Sequence, residues 1–153
     1  MVKKPTTTSS SVQSVLDQLK EHSVEYVDLR FTDPRGKWQH TAQHVSTIDE
    51  GVFRDGIMFD GSSIAGWKAI NESDMILMLD PDTFVMDPFS AKPQAIIICD
   101  IIEPSTGQAY SRDPRGTAKK AEAYVKTSGI GDACFFGPEA EFFIFDSVKF
   151  GTG

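Results

Sequence analysis

Hydrophobic positions change spacing several times along this chain, and each change marks a structural element. Val12, Val15, Leu16 and Leu19 recur at the helical period, which predicts a short amphipathic helix capped by a serine among Ser9 to Ser11. From Val24 to Thr32 the period drops to two, with Val27, Leu29 and Phe31 on one face. Asp33-Pro34-Arg35-Gly36 has the residues of a tight turn, and Lys37 to Val45 returns as the second strand of a β-hairpin. Thr47 to Phe53 predicts a short helix with Thr47 as its cap. Residues 56–71, rich in glycine and serine and without a period, predict a long loop. The apolar runs 75–79 and 94–102 predict strands, with a further short one over 83–86, all punctuated by Pro81, Pro88 and Pro93. Together these elements predict a small mixed sheet with one or two helices, ending near Glu103-Pro104.

A second unit follows. Asp113 is placed to cap a helix with Pro114 at its first position and Gly129 to close it, with Ala118, Ala121, Tyr124 and Val125 as its apolar stripe. Residues 133–145 predict a strand, apolar on both faces and therefore buried. One helix and one or two strands do not close a core, so this unit reads as unfinished. Asp-Pro-Arg-Gly occurs at both 33–36 and 113–116, once as a turn and once as a helix start, without forming a repeat.

Composition narrows the function classes. With 40% hydrophobic and 24% charged residues, the chain has the make-up of a folded domain. Its net charge of −7 argues against nucleic-acid and anionic-membrane partners. Cys99 and Cys134 lie in apolar runs, as small buried hydrophobes do. The N-terminus, Met1-Val2-Lys3-Lys4 and a Thr/Ser run, lacks the apolar core of a signal peptide, and no segment reaches the length of a membrane span. A polar tail over residues 1–10 and a cytoplasmic location are the expectation.

Two places carry candidate chemistry. Glu139 and Glu141 stand two apart, so on a strand their carboxylates share one side, roughly 6–7 Å apart. Bare charges at the mouth of a buried strand are costly, and divalent metals such as Mg²⁺ or Mn²⁺ would relieve that cost. A strand end whose glutamates face water is the alternative. The stretch Phe59-Asp60-Gly61-Ser62-Ser63-Ile64-Ala65-Gly66-Trp67, followed by Asn71-Glu72-Ser73-Asp74, sets acids, hydroxyls and an indole among glycines that let a backbone approach a ligand. A surface loop with an Asx-turn at Asp60-Gly61 fits the same residues.

Taken in order, Phe59-Asp60-Gly61-Ser62-Ser63, Glu72-Ser73-Asp74 and Gly137-Pro138-Glu139-Ala140-Glu141-Phe142-Phe143 closely resemble bacterial type I glutamine synthetase. Val27 to Asp33 and Arg112 to Arg115 resemble that family as well, so the likeness spans residues 12–153. It implies an α+β chain, with a β-grasp-like domain over 11–104 and the start of a catalytic α/β domain over 105–153. It further implies ATP-dependent conversion of glutamate to γ-glutamyl phosphate, which ammonia attacks to give glutamine. Twelve subunits would stack as two hexameric rings, with each active site between the N-terminal domain of one subunit and the catalytic domain of the next.

On that likeness Glu139 and Glu141 would each ligate one of two Mg²⁺ or Mn²⁺ ions. Asp60, with Ser63 nearby, would help deprotonate ammonium at the neighbour's site. Asp74 would complete the ammonium pocket, and Trp67 would pack near the nucleotide and metal region. The likeness also implies that the remaining metal ligands, the ATP-contacting residues and the glutamate-binding arginines lie beyond Gly153; His22, His40 and His44 fall in the helix end and hairpin and are poor candidates for a ligand. The resemblance therefore implies the N-terminal portion of a longer enzyme, inactive alone and a weak binder of divalent cations. Two alternatives stay open: a non-catalytic β-grasp-like module that joins a longer synthetase, and a γ-glutamyl-amine ligase. Retention of Asp60, Ser63 and Asp74 favours ammonia over a bulky amine.

Overall fold

The computed structural model describes residues 9–68 and 73–151. The polar tail expected over 1–10, apart from the backbone of Ser9 and Ser10, lies outside the described residues, as do Asn71 and Glu72. The chain forms two compact units, Met1–Ala121 and Glu122–Gly153.

In the first unit, helix α1 runs Ser9–Glu21, so the serines expected to cap it occupy its first turn instead. Val15 and Leu19 are buried, with Val12 and Leu16 beside them. The helix ends on Ser23 in the left-handed region (φ 51°), with Val24 N–H returning to the Leu19 carbonyl at 3.0 Å. Strands β1 (Tyr26–Thr32) and β2 (Trp38–His44) make the expected hairpin, with Asp28 opposite Ala42 and Arg30 opposite His40. Its turn is organised by Asp33, whose carboxylate accepts the amides of Arg35 and Lys37, both at 2.9 Å, and the side chain of Gln39 at 3.0 Å. The Gln39 bond leads in holding the Asp33 carboxyl below its usual range.

Helix α2 spans Glu50–Asp55 and is capped by Asp49, whose carboxylate accepts the Val52 amide at 2.9 Å. Thr47, expected to cap it, closes a 3₁₀ turn over Val45–Thr47, and its hydroxyl donates to the His44 carbonyl at 2.8 Å. A hydroxyl used as donor leaves the capping to the nearby carboxylate. Gly56 then turns the chain directly into a strand. Its φ is +76°, and a Cβ there would lie 2.3 Å from Ile76 Cγ2. That strand, β3 (Ile57–Asp60), corrects the expectation of an unbroken loop from 56 to 71. Ile57 and Phe59 alternate with Met58 and Asp60, but four residues are too few to show a period beside so many glycines.

Strands β4 (Asp74–Leu79), β5 (Val85–Met86), β6 (Gln94–Glu103) and β7 (Gln108–Ala109) complete a 7-stranded sheet of order β2-β1-β6-β4-β3, with β5 and β7 paired to β6. β1 and β6 run parallel, Leu29 beside Ile97, and the other pairs are antiparallel. One face of the sheet carries the core: Val27, Leu29 and Phe31, then Ala95, Ile97, Cys99 and Ile101, then Met75, Leu77 and Leu79. Alternation along each strand delivers those residues to the same side.

Helix α3 spans Pro114–Ser128. Asp113 caps it as expected: its carboxylate accepts the Arg115 amide at 3.0 Å and, on the other oxygen, the Ile101 amide of β6 at 3.3 Å. Arg115 and Lys119 pair with Asp80 and Asp100, which fastens the first turns of α3 to the sheet. The expected stripe of Ala118, Ala121 and Tyr124 is exposed, and Val125 is only half-buried. In the second unit the strand expected over 133–145 does not form, and none of the described residues pairs with it. Phe135, Phe136, Phe142 and Phe143 are all at least 80% exposed. Apolar side chains call for a strand only where a neighbouring strand accepts the backbone hydrogen bonds.

Candidate cation site

β3 and β4 pair so that Asp60 lies directly opposite Asp74, with both side chains exposed. Residues directly opposite on antiparallel strands project to one side with Cβ atoms about 4.5–5.5 Å apart. Two carboxylates so placed repel each other, and a small cation between them turns that repulsion into attraction.

Asp60 is the member whose charged form is stabilised by its neighbours. Asp60 precedes a 3₁₀ turn over Gly61–Ser63 and accepts both the Ser62 amide, at 2.8 Å, and the Ser62 hydroxyl, at 2.6 Å. Those two bonds lead in pushing its carboxyl below the usual range, with the hydroxyls of Ser73 and Ser63 adding to them. Ser62 and Ser73 are thus members of the site that sequence reasoning passed over, although the Asx-turn reading at Asp60-Gly61 pointed to the first of them. Ser63 is exposed on the same turn.

Beneath the turn the loop is anchored by backbone and core. Gly61 N–H donates to the Ser73 carbonyl at 2.7 Å, Ile64 N–H to Gly61 at 3.2 Å and Trp67 N–H to Ile64 at 3.1 Å. Gly61 is buried against β4, where a Cβ would fall 2.6 Å from Met75 Cγ and 3.0 Å from the Ser73 carbonyl oxygen. Trp67 is only 4% exposed, its ring 5.5 Å from Phe31, 6.1 Å from Phe59 and 5.5 Å from Tyr110. Its indole N–H is buried with no partner among the described residues. Trp67 is thus a core residue that carries the loop.

Glu139 and Glu141 belong to the second unit, exposed on backbone that has no strand pairing. Among the described residues no three of His, Cys, Asp and Glu gather in a way that could hold a metal. His40 is bonded to Asp28 at 2.7 Å and His44 to Ser46 at 2.8 Å. Two carboxylates leave most of an octahedral shell unfilled, so the described residues do not by themselves fit a divalent ion.

Comparison with known proteins decides the ancestry of this arrangement. Residues 23–104 match the family described as glutamine synthetase, beta-Grasp domain, and residues 111–152 match glutamine synthetase, catalytic domain. The chain belongs to the glutamine synthetase family. It is 72% identical over 141 residues to a glutamine synthetase of Azospirillum brasilense and 64% identical over 141 residues to one of Rhizobium meliloti. Each alignment covers 92% of this chain and 30% of the relative, so the chain spans about a third of the length of the curated relatives it matches. Among solved structures, a Plasmodium falciparum glutamine synthetase determined by cryoEM superposes with a TM-score of 0.70 at 25% identity, over 84% of this chain and 24% of that one. A structure described as a GmaS/ADP complex gives 0.67 at 19% identity, over 74% and 26%, a likeness of fold. The expected α+β class, a β-grasp domain followed by the start of a glutamine synthetase catalytic domain, is thereby established. No helix among the described residues is long and apolar enough to cross a membrane.

Proposed function

We propose that this chain supplies the ammonium-binding wall of a glutamine synthetase, which joins ammonia to glutamate through γ-glutamyl phosphate at the expense of ATP. The observation that carries this reading is Asp60 facing Asp74 across β3 and β4. Ammonium is protonated at neutral pH and has no free lone pair, so a site that uses it must first hold the cation and then remove a proton. Two opposed carboxylates hold a small cation by charge. Asp60, kept ionised by Ser62, is positioned to accept the proton as the nitrogen lone pair engages the acyl phosphate. Ser63 lines the same turn, and Trp67 supports it from the core. A bulky amine would gain little from so acidic a pair, which favours ammonium as the acceptor.

The domains implied by this reading are a β-grasp-like unit over 11–104 and the opening of a catalytic domain over 105–153. Within the longer enzyme the Asp60 loop serves a neighbouring subunit in a dodecamer of two hexameric rings, in the cytoplasm. Glu139 and Glu141 each give one carboxylate to a Mg²⁺ or Mn²⁺ ion, with the other ligands, the ATP contacts and the glutamate contacts supplied by the remainder of the enzyme. The 153-residue chain alone is inactive.

The test uses Asp60→Asn and Asp74→Asn in the full-length polypeptide. Each should raise KM for ammonium by about tenfold or more, the worth of a charge-assisted contact, with KM for glutamate nearly unchanged. Asp74→Asn should also raise the urea midpoint, because it relieves the carboxylate repulsion. Unaltered ammonium kinetics in both variants would sink the proposal.

A further inference from the structure

The loop that carries Asp60 is gripped from outside the β-grasp region. Arg112 Nη1 donates to the carbonyl of Gly66 at 2.6 Å and to that of Trp67 at 3.3 Å. Tyr110 Oη donates to the same Trp67 carbonyl at 3.0 Å, and its ring packs edge-on against the Trp67 indole. Lys68, next in the loop, pairs with Glu103 and sits 5.4 Å over the Tyr110 ring. Gly66, with a φ of +85°, takes the backbone out of the preceding turn, and among the described residues no helix or strand amide donates to these two carbonyls. A guanidinium suits them because it offers several donors in a fixed plane, and a Tyr hydroxyl adds one more.

From these groups a short relay leads to Asp60. Trp67 N–H binds the Ile64 carbonyl, Ile64 N–H binds Gly61, and the Gly61–Ser63 turn holds the amide and hydroxyl that Asp60 accepts. Arg112 also lies in the stretch that matches the catalytic-domain family (111–152), whereas the loop lies in the stretch that matches the beta-Grasp family (23–104).

We propose that Tyr110 and Arg112 are positioning residues that lock the Asp60 loop, so that the start of the catalytic region sets the geometry of the cation pair. The functional half rests on the ammonium reading given above. Neither residue touches the cation. Each acts through the carbonyls of Gly66 and Trp67.

Amide hydrogen exchange tests the lock directly, on Arg112→Gln, Arg112→Lys and Tyr110→Phe. The last keeps the buried ring and removes only the hydroxyl, so it folds even where the arginine variants do not. Arg112→Gln and Tyr110→Phe should speed exchange at Ile64 and Trp67 by about tenfold while Leu29 and Ile97 stay protected, and Arg112→Lys should restore part of the protection. In the full-length polypeptide the same variants should raise KM for ammonium more than KM for glutamate. Local acceleration with unchanged ammonium kinetics upholds the lock and overturns the ammonium reading. Uniform acceleration across the sheet, or none at Ile64 and Trp67, overturns the lock itself.

Discussion

Gly61 is where the site depends most directly on packing, and Gly61→Ala tests that dependence. The added Cβ would stand 2.6 Å from Met75 Cγ and 3.0 Å from the Ser73 carbonyl oxygen, and Met75 is fully buried. A methyl group forced into a packed core costs about 1–3 kcal/mol, which for a chain of this size lowers Tm by roughly 2–4 °C per kcal/mol. Gly66→Ala gives the contrast. Among the described residues nothing lies within 4 Å of its Cβ position, and the φ of +85° is what opposes the side chain, at about 1–2 kcal/mol. Asparagine tolerates that backbone region, so Gly66→Asn should recover much of the loss, whereas Gly61→Asn should be worse than Gly61→Ala. Urea unfolding read by far-UV circular dichroism measures all four. Met75→Ala should cost less in the Gly61→Ala background than in the parent, with a coupling of about 0.5–3 kcal/mol, because the space it opens receives the new methyl. An unchanged midpoint for Gly61→Ala, or strict additivity with Met75→Ala, would refute the claim that this glycine is fixed by contact with β4.

Two further outcomes follow from buried and bonded groups. Burial raises the Asp113 carboxyl above its usual range, so its contribution to stability is full below the unfolded pKa of about 4 and is lost as pH rises through the folded value. Asp33 is depressed by Gln39 and contributes in the opposite sense, above the unfolded value and fading as pH falls through the folded one. Relative to Asp113→Asn, the parent should therefore lose stability with rising pH, and relative to Asp33→Asn it should lose stability with falling pH; urea midpoints that slope the same way in both comparisons would contradict this. Thiol labelling should modify Cys134, which is exposed, at once, and Cys99, buried with its thiol pushed far up, only on unfolding. Equal labelling rates under native conditions would show that Cys99 is not packed in the core.

Long periodic segments were legible from residues alone. Val12 to Leu19, the β1–β2 hairpin, the run 94–102 and the Asp113-Pro114 helix start all carry a full period or a specific cap, and local physics decides them. Two short strands were not: β3 and β7 have four and two residues and owe their existence to β4 and β6 beside them. The stretch 133–145 shows the converse, since its apolar side chains are strand-like yet a strand exists only where its ladder is accepted. The Asp60–Asp74 pair joins positions on either side of a glycine-rich loop, and no local pattern encodes that register. The family resemblance named both residues, but their opposition across two strands came from the fold, as did the bonds from Ser62 to the Asp60 carboxylate and those from Tyr110 and Arg112 to backbone carbonyls that a sequence does not display.

The parallel pairing of β1 with β6 sets the order in which this chain can fold. Val27 and Leu29 meet Ala95 and Ile97 only after most of the sheet has been synthesised, so early hairpin formation leaves one edge of β1 open and its apolar face uncovered. The awaited strand is itself hazardous, since Ala95 to Cys99 is an uncharged, β-prone run. Pro93 before it and Asp100 after it interrupt any longer match between two such runs, as gatekeepers do. Replacing either would be felt first in refolding yield, before it was felt in the stability of the finished sheet.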